Sequence, residues 1–187
     1  MAHRVCPWWL GYLLISPIRR WIQNPADVIG PYVKEGMTVL EPGPGMGFFT
    51  LELARRVGAS GRVIAVDVQP RMIAGLKRRL QKAALAGRVD TRVANDESMG
   101  LQDLTGRVDF TLAMAVVHET PNAERLFHEI AAATKAGGTV LFVEPSGHVK
   151  DEMFAAELKA AEEAGFTVVE RPKLKHSTAR VLRKAVA

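Results

Sequence analysis

Short apolar runs alternate with longer amphipathic stretches along most of the chain, as in proteins where strands alternate with helices. The runs that are typical of buried strands are 38–42, 62–68, 89–94, 108–117 and 139–144. Stretches with apolar residues at helical spacing follow four of them, at 47–58, from Pro70 to about Ala86, from Asn122 to about Thr134 and from about Lys150 to Ala164. This order predicts an α/β fold with a doubly wound, mostly parallel sheet.

The alternation ends near the C-terminus. Two strand-like runs, 165–172 and 175–185, follow each other without a stretch of helical spacing between them. The turn between them is too short for a parallel crossover, so we expect an antiparallel hairpin. Before the first strand, the segment 24–33 predicts a short helix, with Asn24 as its N-cap and Pro25 as its first residue.

The bulk composition fits one globular domain. The chain has 187 residues, of which 48% are hydrophobic and 24% charged. We expect a single domain over 1–187, with an aromatic, helical cover in 1–35 and the core in 36–187. The net charge of +5 permits contact with nucleic acid or an anionic membrane without requiring it, because the basic residues are spread along the chain.

The N-terminal segment is rich in aromatic residues. Its uninterrupted apolar run, 8–15, is too short to span a bilayer, so we expect no transmembrane segment. It is expected to pack on the domain, to cover a site, or to touch a lipid or a partner at the membrane periphery. Cys6 is the single cysteine, which excludes an intrachain disulfide or a cysteine zinc cluster and fits a cytoplasmic location.

The segment VLEPGPGMGFFTLELA, residues 39–54, joins the first strand to a helix through a glycine-rich loop. In an open parallel sheet, ligands bind beyond the carboxyl ends of the strands. The dinucleotide fingerprint would place its third glycine at position 48, which is Phe48, and no Gly-Lys-Ser/Thr follows for a phosphate loop. Glu41 would repel a pyrophosphate and attract an ammonium group. The loop therefore predicts a ligand with a cationic end.

Asp67 ends the second strand, 20 residues after Gly47. A carboxylate at this place accepts hydrogen bonds from both hydroxyls of a ribose. The predicted ligand thus combines a ribose with a cationic end, and the backbone approaches it closely at the glycines.

The motifs LEPGPGMG and VIAVDV, together with the terminal strand pair, resemble the class I S-adenosylmethionine-dependent methyltransferases. The resemblance covers about residues 30 to 185 and is to the small-molecule type. It implies a Rossmann-like sheet of seven strands, mostly parallel with an antiparallel last strand. It also implies a methyltransferase that uses S-adenosyl-L-methionine.

The resemblance assigns the cofactor to residues that follow the first four strands. The methionine part should be held by Glu41 and the loop residues Gly43, Pro44, Gly45 and Gly47. The ribose should be held by Asp67, and the adenine should be flanked by Val68 and Gln69. Two registers remain open for the residue that caps the adenine amino group, Asn95 or Asp96.

The fourth strand, VDFTLAMAVVHE, resembles the family's FDLVLSVDALHH. Ala113 and Met114 should therefore line the cofactor, with the side chains that follow facing the methyl acceptor. A general base helps when the acceptor arrives protonated. The candidates are His118 first, then His148, Glu119 and Glu144. No metal site is expected, because methyl transfer does not need one.

The acceptor is restricted mainly by what the sequence lacks. No N/D-P-P-Y/W tetrapeptide follows the fourth strand, which argues against planar amino groups, and no cysteine stands in a catalytic loop for carbon-5 methylation of pyrimidines. The aromatic N-terminus favours a small apolar or aromatic acceptor. Two alternatives stay open, namely an RNA methyltransferase that uses the basic stretches 71–82 and 171–184, and a non-catalytic cofactor-binding subunit.

Overall fold

The computed structural model describes residues 23–95 and 97–186. They contain a seven-stranded mixed sheet, whose neighbouring strands follow the order Val89–Val93, Arg62–Asp67, Thr38–Pro42, Val108–Met114, Thr134–Pro145, Ser177–Lys184 and Phe166–Glu170. The α/β Rossmann-like fold expected from the alternation is therefore confirmed. The described residues divide into two compact units, 23–99 and 100–186. Most of the predicted cover, including Cys6 and the tryptophans beside it, lies outside the described residues.

The first unit carries the three parallel strands β1 (Thr38–Pro42), β2 (Arg62–Asp67) and β3 (Val89–Val93). Its helices are α1 (Pro25–Ile29), α2 (Thr50–Arg56) and α3 (Pro70–Lys82). Helix α2 packs against β2, and α3 packs against β2 and β3. The predicted N-cap is confirmed, because the Asn24 side chain accepts a hydrogen bond from the Ala26 N–H.

The second unit carries β4 (Val108–Met114), β5 (Thr134–Pro145), β6 (Phe166–Glu170) and β7 (Ser177–Lys184). Its helices are α4 (Ala123–Ala133) and α5 (Asp151–Glu163), which pack against each other. Strands β4 and β5 are parallel, whereas β7 is antiparallel to both β5 and β6. The expected C-terminal hairpin is thus confirmed, with its second strand inserted between β5 and β6.

Helix α2 and strand β4 are both shorter than the sequence predicts. Helix α2 begins at Thr50 instead of residue 47, because Gly43, Gly45 and Gly47 have positive φ angles that continue the loop. Strand β4 ends at Met114 instead of residue 117. There Ala115 takes a φ of +53°, which a strand does not accommodate, and a short 3₁₀ turn follows at Val117–Glu119.

Strand β5 is longer than the sequence predicts. It begins at Thr134 and includes the Gly137–Gly138 pair, which the sequence predicts as a turn before the strand. The pairing with β4 jumps from Val108–Thr134 to Phe110–Thr139, so the glycines lie in a bulge. A side chain at Gly138 would come within 2.7 Å of Thr134, which explains the glycine there.

No helix within residues 23–95 and 97–186 is long and apolar enough to cross a membrane.

Candidate functional site

The glycine-rich loop of the first unit is held by hydrogen bonds that its backbone N–H groups donate to the end of β2. The Gly43 N–H donates to the Val66 carbonyl at 2.9 Å, which ties the loop to β2. The Gly45 N–H donates to Oδ2 of Asp67 at 3.1 Å. All three glycines have positive φ, with values of 64° at Gly43, 54° at Gly45 and 84° at Gly47. The loop conformation therefore favours glycine at each position.

Gly45 and Gly47 differ in what surrounds them. A Cβ at Gly47 would lie 2.4 Å from Cδ1 of Leu76, which is fully buried, so Gly47 allows α3 to pack closely. A Cβ at Gly45 would have no atom within 4 Å. The space over Gly45 is open to a ligand, whereas the space over Gly47 is filled by the protein itself.

Glu41 is buried at the end of β1, with 3% of its surface exposed. Its Oε2 atom has no hydrogen-bond partner among the described residues. The pKa of Glu41 is raised to about 8, mainly by burial; the nearby Thr50 hydroxyl opposes the increase, and the negative charge of Asp67 adds a smaller contribution to it. Thr50 Oγ1 is itself unbonded, so this hydroxyl does not satisfy Oε2. A cationic ligand would stabilise the ionised form of this buried carboxyl group, because it replaces the hydration that burial removes.

Asp67 is buried at the end of β2, and both of its carboxylate oxygens are oriented by the backbone. Oδ1 accepts from the Gln69 N–H at 2.8 Å, and Oδ2 accepts from the Gly45 N–H. Burial raises the pKa of Asp67, and these two hydrogen bonds offset part of the increase. Each oxygen keeps a lone pair for a further donor, which fits the predicted pairing with ribose hydroxyls.

The structure describes only some of the residues that are predicted to surround the adenine. Val68 exposes 44% of its surface directly after β2, which leaves it accessible to a ligand ring. Oδ1 of Asn95 accepts from the N–H groups of Glu97 and Ser98, so it closes its own turn. Asp96 lies outside the described residues. The choice between Asn95 and Asp96 as the cap of the adenine stays a prediction.

In the second unit, His118 forms a short hydrogen bond with Glu144. Its Nδ1 lies 2.6 Å from Oε2 of Glu144, a residue with no exposed surface. The other oxygen, Oε1, accepts from the backbone N–H of Val117 at 2.9 Å. Both carboxylate oxygens are therefore held in place. With its Nδ1 directed at Glu144, a neutral His118 carries its lone pair on Nε2.

The surroundings of His118 favour its protonated form. Burial lowers the pKa of His118, but the hydrogen bond and negative charge of Glu144, with smaller contributions from Glu119 and Glu157, outweigh it and raise the pKa above 6.5. The pairing of an imidazole with a fixed carboxylate is the arrangement of a general base whose protonated form is stabilised.

His148 and Glu157 complete this group. The His148 ring packs edge-on against the His118 ring, with 5.1 Å between the ring centres. Glu157, on α5, is 6% exposed, and burial together with the charge of Glu144 raises its pKa to about 7, while His118 opposes this increase. Glu157 is not among the residues predicted from the sequence. The available signal was its position on the buried stripe of α5, three residues after Phe154 and three before Ala160.

Two further predicted residues lie at the end of β4. Ala113 has no exposed surface, and Met114 is half-buried. Their role toward the cofactor stays a prediction. Within the described residues, no group of three or more histidine, cysteine, aspartate or glutamate side chains could hold a metal ion.

Comparison with known families decides the affiliation of this chain. The family model described as a methyltransferase domain matches residues 33–185. The chain belongs to the methyltransferase domain family. S-adenosylmethionine is the cofactor that this membership implies, in agreement with the resemblance of the glycine loop.

Curated relatives of this methyltransferase act in quinone biosynthesis, as their names state. It is 28% identical over 126 residues to the ubiquinone/menaquinone biosynthesis C-methyltransferase UbiE of Hydrogenovibrio crunogenus, covering 67% of this chain and 48% of the relative. The corresponding protein of Idiomarina loihiensis is 30% identical over 126 residues, covering 67% of this chain and 49% of the relative. The chain thus spans about half the length of these relatives.

Solved structures support the fold. A SAM-dependent methyltransferase from Aquifex aeolicus superposes with a TM-score of 0.85 at 23% identity, covering 98% of this chain and 100% of the other. A SAM-dependent O-methyltransferase from Thermotoga maritima superposes with a TM-score of 0.68 at 23% identity, covering 93% of this chain and 72% of the other.

The residues of the first unit fit S-adenosylmethionine. Glu41 has a buried oxygen without a partner among the described residues, which could accept from the cofactor's ammonium group, and the space over Gly45 leaves room for a ligand against the backbone. Asp67 is already oriented toward the loop by two N–H groups. Acceptors for an ammonium group and for ribose hydroxyls are therefore present before any ligand binds.

Glu41 should destabilise the ligand-free methyltransferase at alkaline pH. The unfolded chain loses the Glu41 proton near pH 4.5 and the folded chain near pH 8, so this residue makes folding less favourable as pH rises between these values. We expect Glu41→Gln to raise the free energy of unfolding by about 4 kcal/mol near pH 8.5 and by about 1 kcal/mol near pH 5. Urea denaturation at both pH values measures this.

The matched control for that experiment is Glu152→Gln, at an exposed position in the first turn of α5. It should change the free energy of unfolding by less than about 0.5 kcal/mol at either pH. A Glu41→Gln variant that is less stable than the wild type at pH 8.5 would show that the buried carboxyl group is satisfied by the protein itself.

Alanine substitutions in the loop should separate ligand binding from stability. Gly45→Ala should cost about 1 kcal/mol of stability from its positive φ and weaken S-adenosylmethionine binding at least tenfold, because the methyl group enters the ligand space. Gly47→Ala should destabilise the fold by more than about 2 kcal/mol through its contact with Leu76. Calorimetric titration and thermal unfolding measure both effects.

Gly87→Ala serves as the control, because its Cβ would meet nothing within 4 Å and its φ is not positive. It should change neither binding nor stability appreciably. Equal cofactor affinity for Gly45→Ala and Gly87→Ala would contradict the assignment of the open space over Gly45 to a ligand.

Proposed function

We propose that this methyltransferase transfers a methyl group from S-adenosylmethionine to a small aromatic molecule that carries an acidic hydroxyl group. The observation that carries the proposal is the hydrogen bond between His118 and Glu144, 2.6 Å long, which holds an imidazole as a base. Glu41, the loop around Gly45, and Asp67 bind the cofactor. A cytoplasmic location remains part of the proposal.

In the proposed complex, each group of the first unit has one task. Glu41 binds the ammonium group of the cofactor and gives up its own proton on doing so, because the opposite charge lowers its pKa. The Gly43–Gly47 loop lies against the methionine part, and Asp67 accepts from the ribose hydroxyls. When bound, the cofactor supplies a methyl group on a positively charged sulfur, and its carbon is electrophilic.

His118 acts on the acceptor. Its Nε2 takes the hydroxyl proton, and the resulting imidazolium is stabilised by Glu144, whose oxygens are fixed by the Nδ1 of His118 and the N–H of Val117. Loss of the proton raises the electron density of the aromatic ring. With the cofactor held by Glu41, the Gly43–Gly47 loop and Asp67, the deprotonated ring carbon or oxygen would be the nucleophile that receives the methyl group, and the electron pair of the carbon–sulfur bond would remain on sulfur.

The names of the curated relatives support a carbon acceptor. They are called C-methyltransferases of ubiquinone and menaquinone biosynthesis. Transfer to a ring carbon ortho to the hydroxyl group would require a second proton to leave that carbon, so that the ring becomes aromatic again. His118 serves both proton transfers if its imidazolium first returns the hydroxyl proton to the ring oxygen and then accepts the proton that leaves the carbon, so that one proton is released in total. We therefore place carbon methylation of a hydroquinone-type ring ahead of oxygen methylation.

An acceptor screen tests this proposal. The methyltransferase is incubated with labelled cofactor and with a short-chain prenylated hydroquinone, an alkylamine or total RNA, and S-adenosylhomocysteine and methylated product are measured. We expect product from the hydroquinone and identify the methylated atom by mass spectrometry. Methylation of RNA alone, with an affinity that falls steeply with salt, would overturn the small-molecule proposal in favour of the basic-surface alternative.

The pH dependence of the reaction rate should follow the titration of His118. A base must be neutral to accept a proton, so the rate should rise with pH through a midpoint above 6.5, the ordinary histidine value from which the pKa of His118 is raised. Glu144→Gln should move this midpoint downward, because it removes the negative charge that stabilises the imidazolium, and should lower kcat about 100-fold.

His118→Asn should abolish the pH step and lower kcat at least 100-fold, with cofactor affinity unchanged. His128→Asn, at an exposed position on α4, is the matched control and should retain both rate and pH profile. An unchanged midpoint in Glu144→Gln would contradict the role of this pair as the base.

A further inference from the structure

A cleft in the second unit lies between the start of α4 and one side of α5. Its volume is about 360 Å³. Residues 121–124 form one wall, and Met153, Ala156, Glu157 and Ala160 form the other. This volume is in the range of small-molecule sites. Of the residues named, Met153 is half exposed, which leaves an accessible apolar surface at the cleft.

Glu157 is the only residue of the cleft that combines a charge with nearly complete burial. It is 6% exposed, and its Oε2 has no hydrogen-bond partner among the described residues. A carboxyl group in this position loses hydration without gaining a donor in return. Beside it on this face of α5, Ala156 and Ala160 have small side chains that leave room for a ligand.

The charges around the cleft favour a cation. Its walls contain two acidic residues, Glu124 and Glu157, and no basic residue. Glu144 adds a further negative charge close enough to act on Glu157. The start of α4 is a poor binding site for an anion. The Asn122 side chain already accepts from the Arg125 N–H at 2.8 Å, and Glu124 places a negative charge in the first turn. The charge of His118 acts on Glu157 in the opposite direction to that of Glu144, but His118 is itself paired with Glu144.

We propose that this cleft binds a small protonated amine with an apolar body, with Glu157 as the counter-ion. The ammonium group supplies the donors that the buried carboxylate lacks, and the alkyl part lies against Met153 and the two alanines. A charge-assisted hydrogen bond inside a half-enclosed cleft is stronger than its equivalent on the surface. The cleft adjoins the proposed base, because Glu157 and His118 act on each other's pKa, but the binding of an amine here does not depend on methyl transfer.

The test uses n-butylammonium as the probe and 1-butanol as its neutral counterpart, with the whole protein and without cofactor. Titrations near pH 8 are followed by the amide resonances of Ala156 and Ala160 and the methyl resonance of Met153. We expect saturable shifts with butylammonium at millimolar concentration, and binding of 1-butanol at least tenfold weaker.

Glu157→Gln should weaken butylammonium binding at least tenfold, whereas Glu124→Gln, at the exposed rim, should change it less than threefold. The wild-type comparison of the amine with the alcohol decides the matter independently if Glu157→Gln does not fold. Equal binding of the two probes, equal affinity in Glu157→Gln, or shifts that spread over the surface without saturation would each overturn the proposal.

Discussion

The burial of carboxyl groups is the constraint on which the chemistry of this methyltransferase depends. Among the described residues, the buried acidic side chains are Glu41, Asp67, Glu144 and Glu157. Taking a carboxylate out of water is costly unless hydrogen bonds or a cation replace the lost hydration. All four belong to the candidate sites of the two units. The fold therefore tolerates a loss of stability at the positions where we place ligands, as expected for a functional site.

These four residues fall into two kinds. Asp67 and Glu144 have both oxygens fixed by N–H donors of the protein, so they are oriented before a ligand arrives. Glu41 and Glu157 each keep an oxygen without a partner, and burial raises the pKa of each. The first kind suits groups that must be positioned accurately, such as a ribose acceptor or the support of a base. The second kind suits groups that bind a cationic ligand, because the ligand supplies the missing hydrogen-bond donor.

The fold and the cofactor loop could be predicted from the sequence because their signals are local. The spacing of Gly43, Gly45 and Gly47 reflects backbone angles that favour glycine, and the position of Asp67 follows from the end of a β-branched strand. The C-terminal hairpin could be predicted because the intervening turn is too short for a crossover. The partnership of His118 and Glu144 could not, because 26 residues separate them and only the parallel pairing of β4 and β5 brings them together. The bulge at Gly137–Gly138 depends on the same pairing.

The central claim is that Glu41 binds the amino-acid end of S-adenosylmethionine and Asp67 binds its ribose. Calorimetric titration with the cofactor and with methylthioadenosine, which lacks the amino-acid end, tests it most directly. Glu41→Gln should weaken binding of S-adenosylmethionine at least tenfold and leave methylthioadenosine within about threefold, whereas Asp67→Ala should weaken both at least tenfold. If Asp67→Ala retained affinity for both ligands within about threefold, roughly 0.7 kcal/mol, or if Glu41→Gln weakened both ligands equally, the claim would be contradicted.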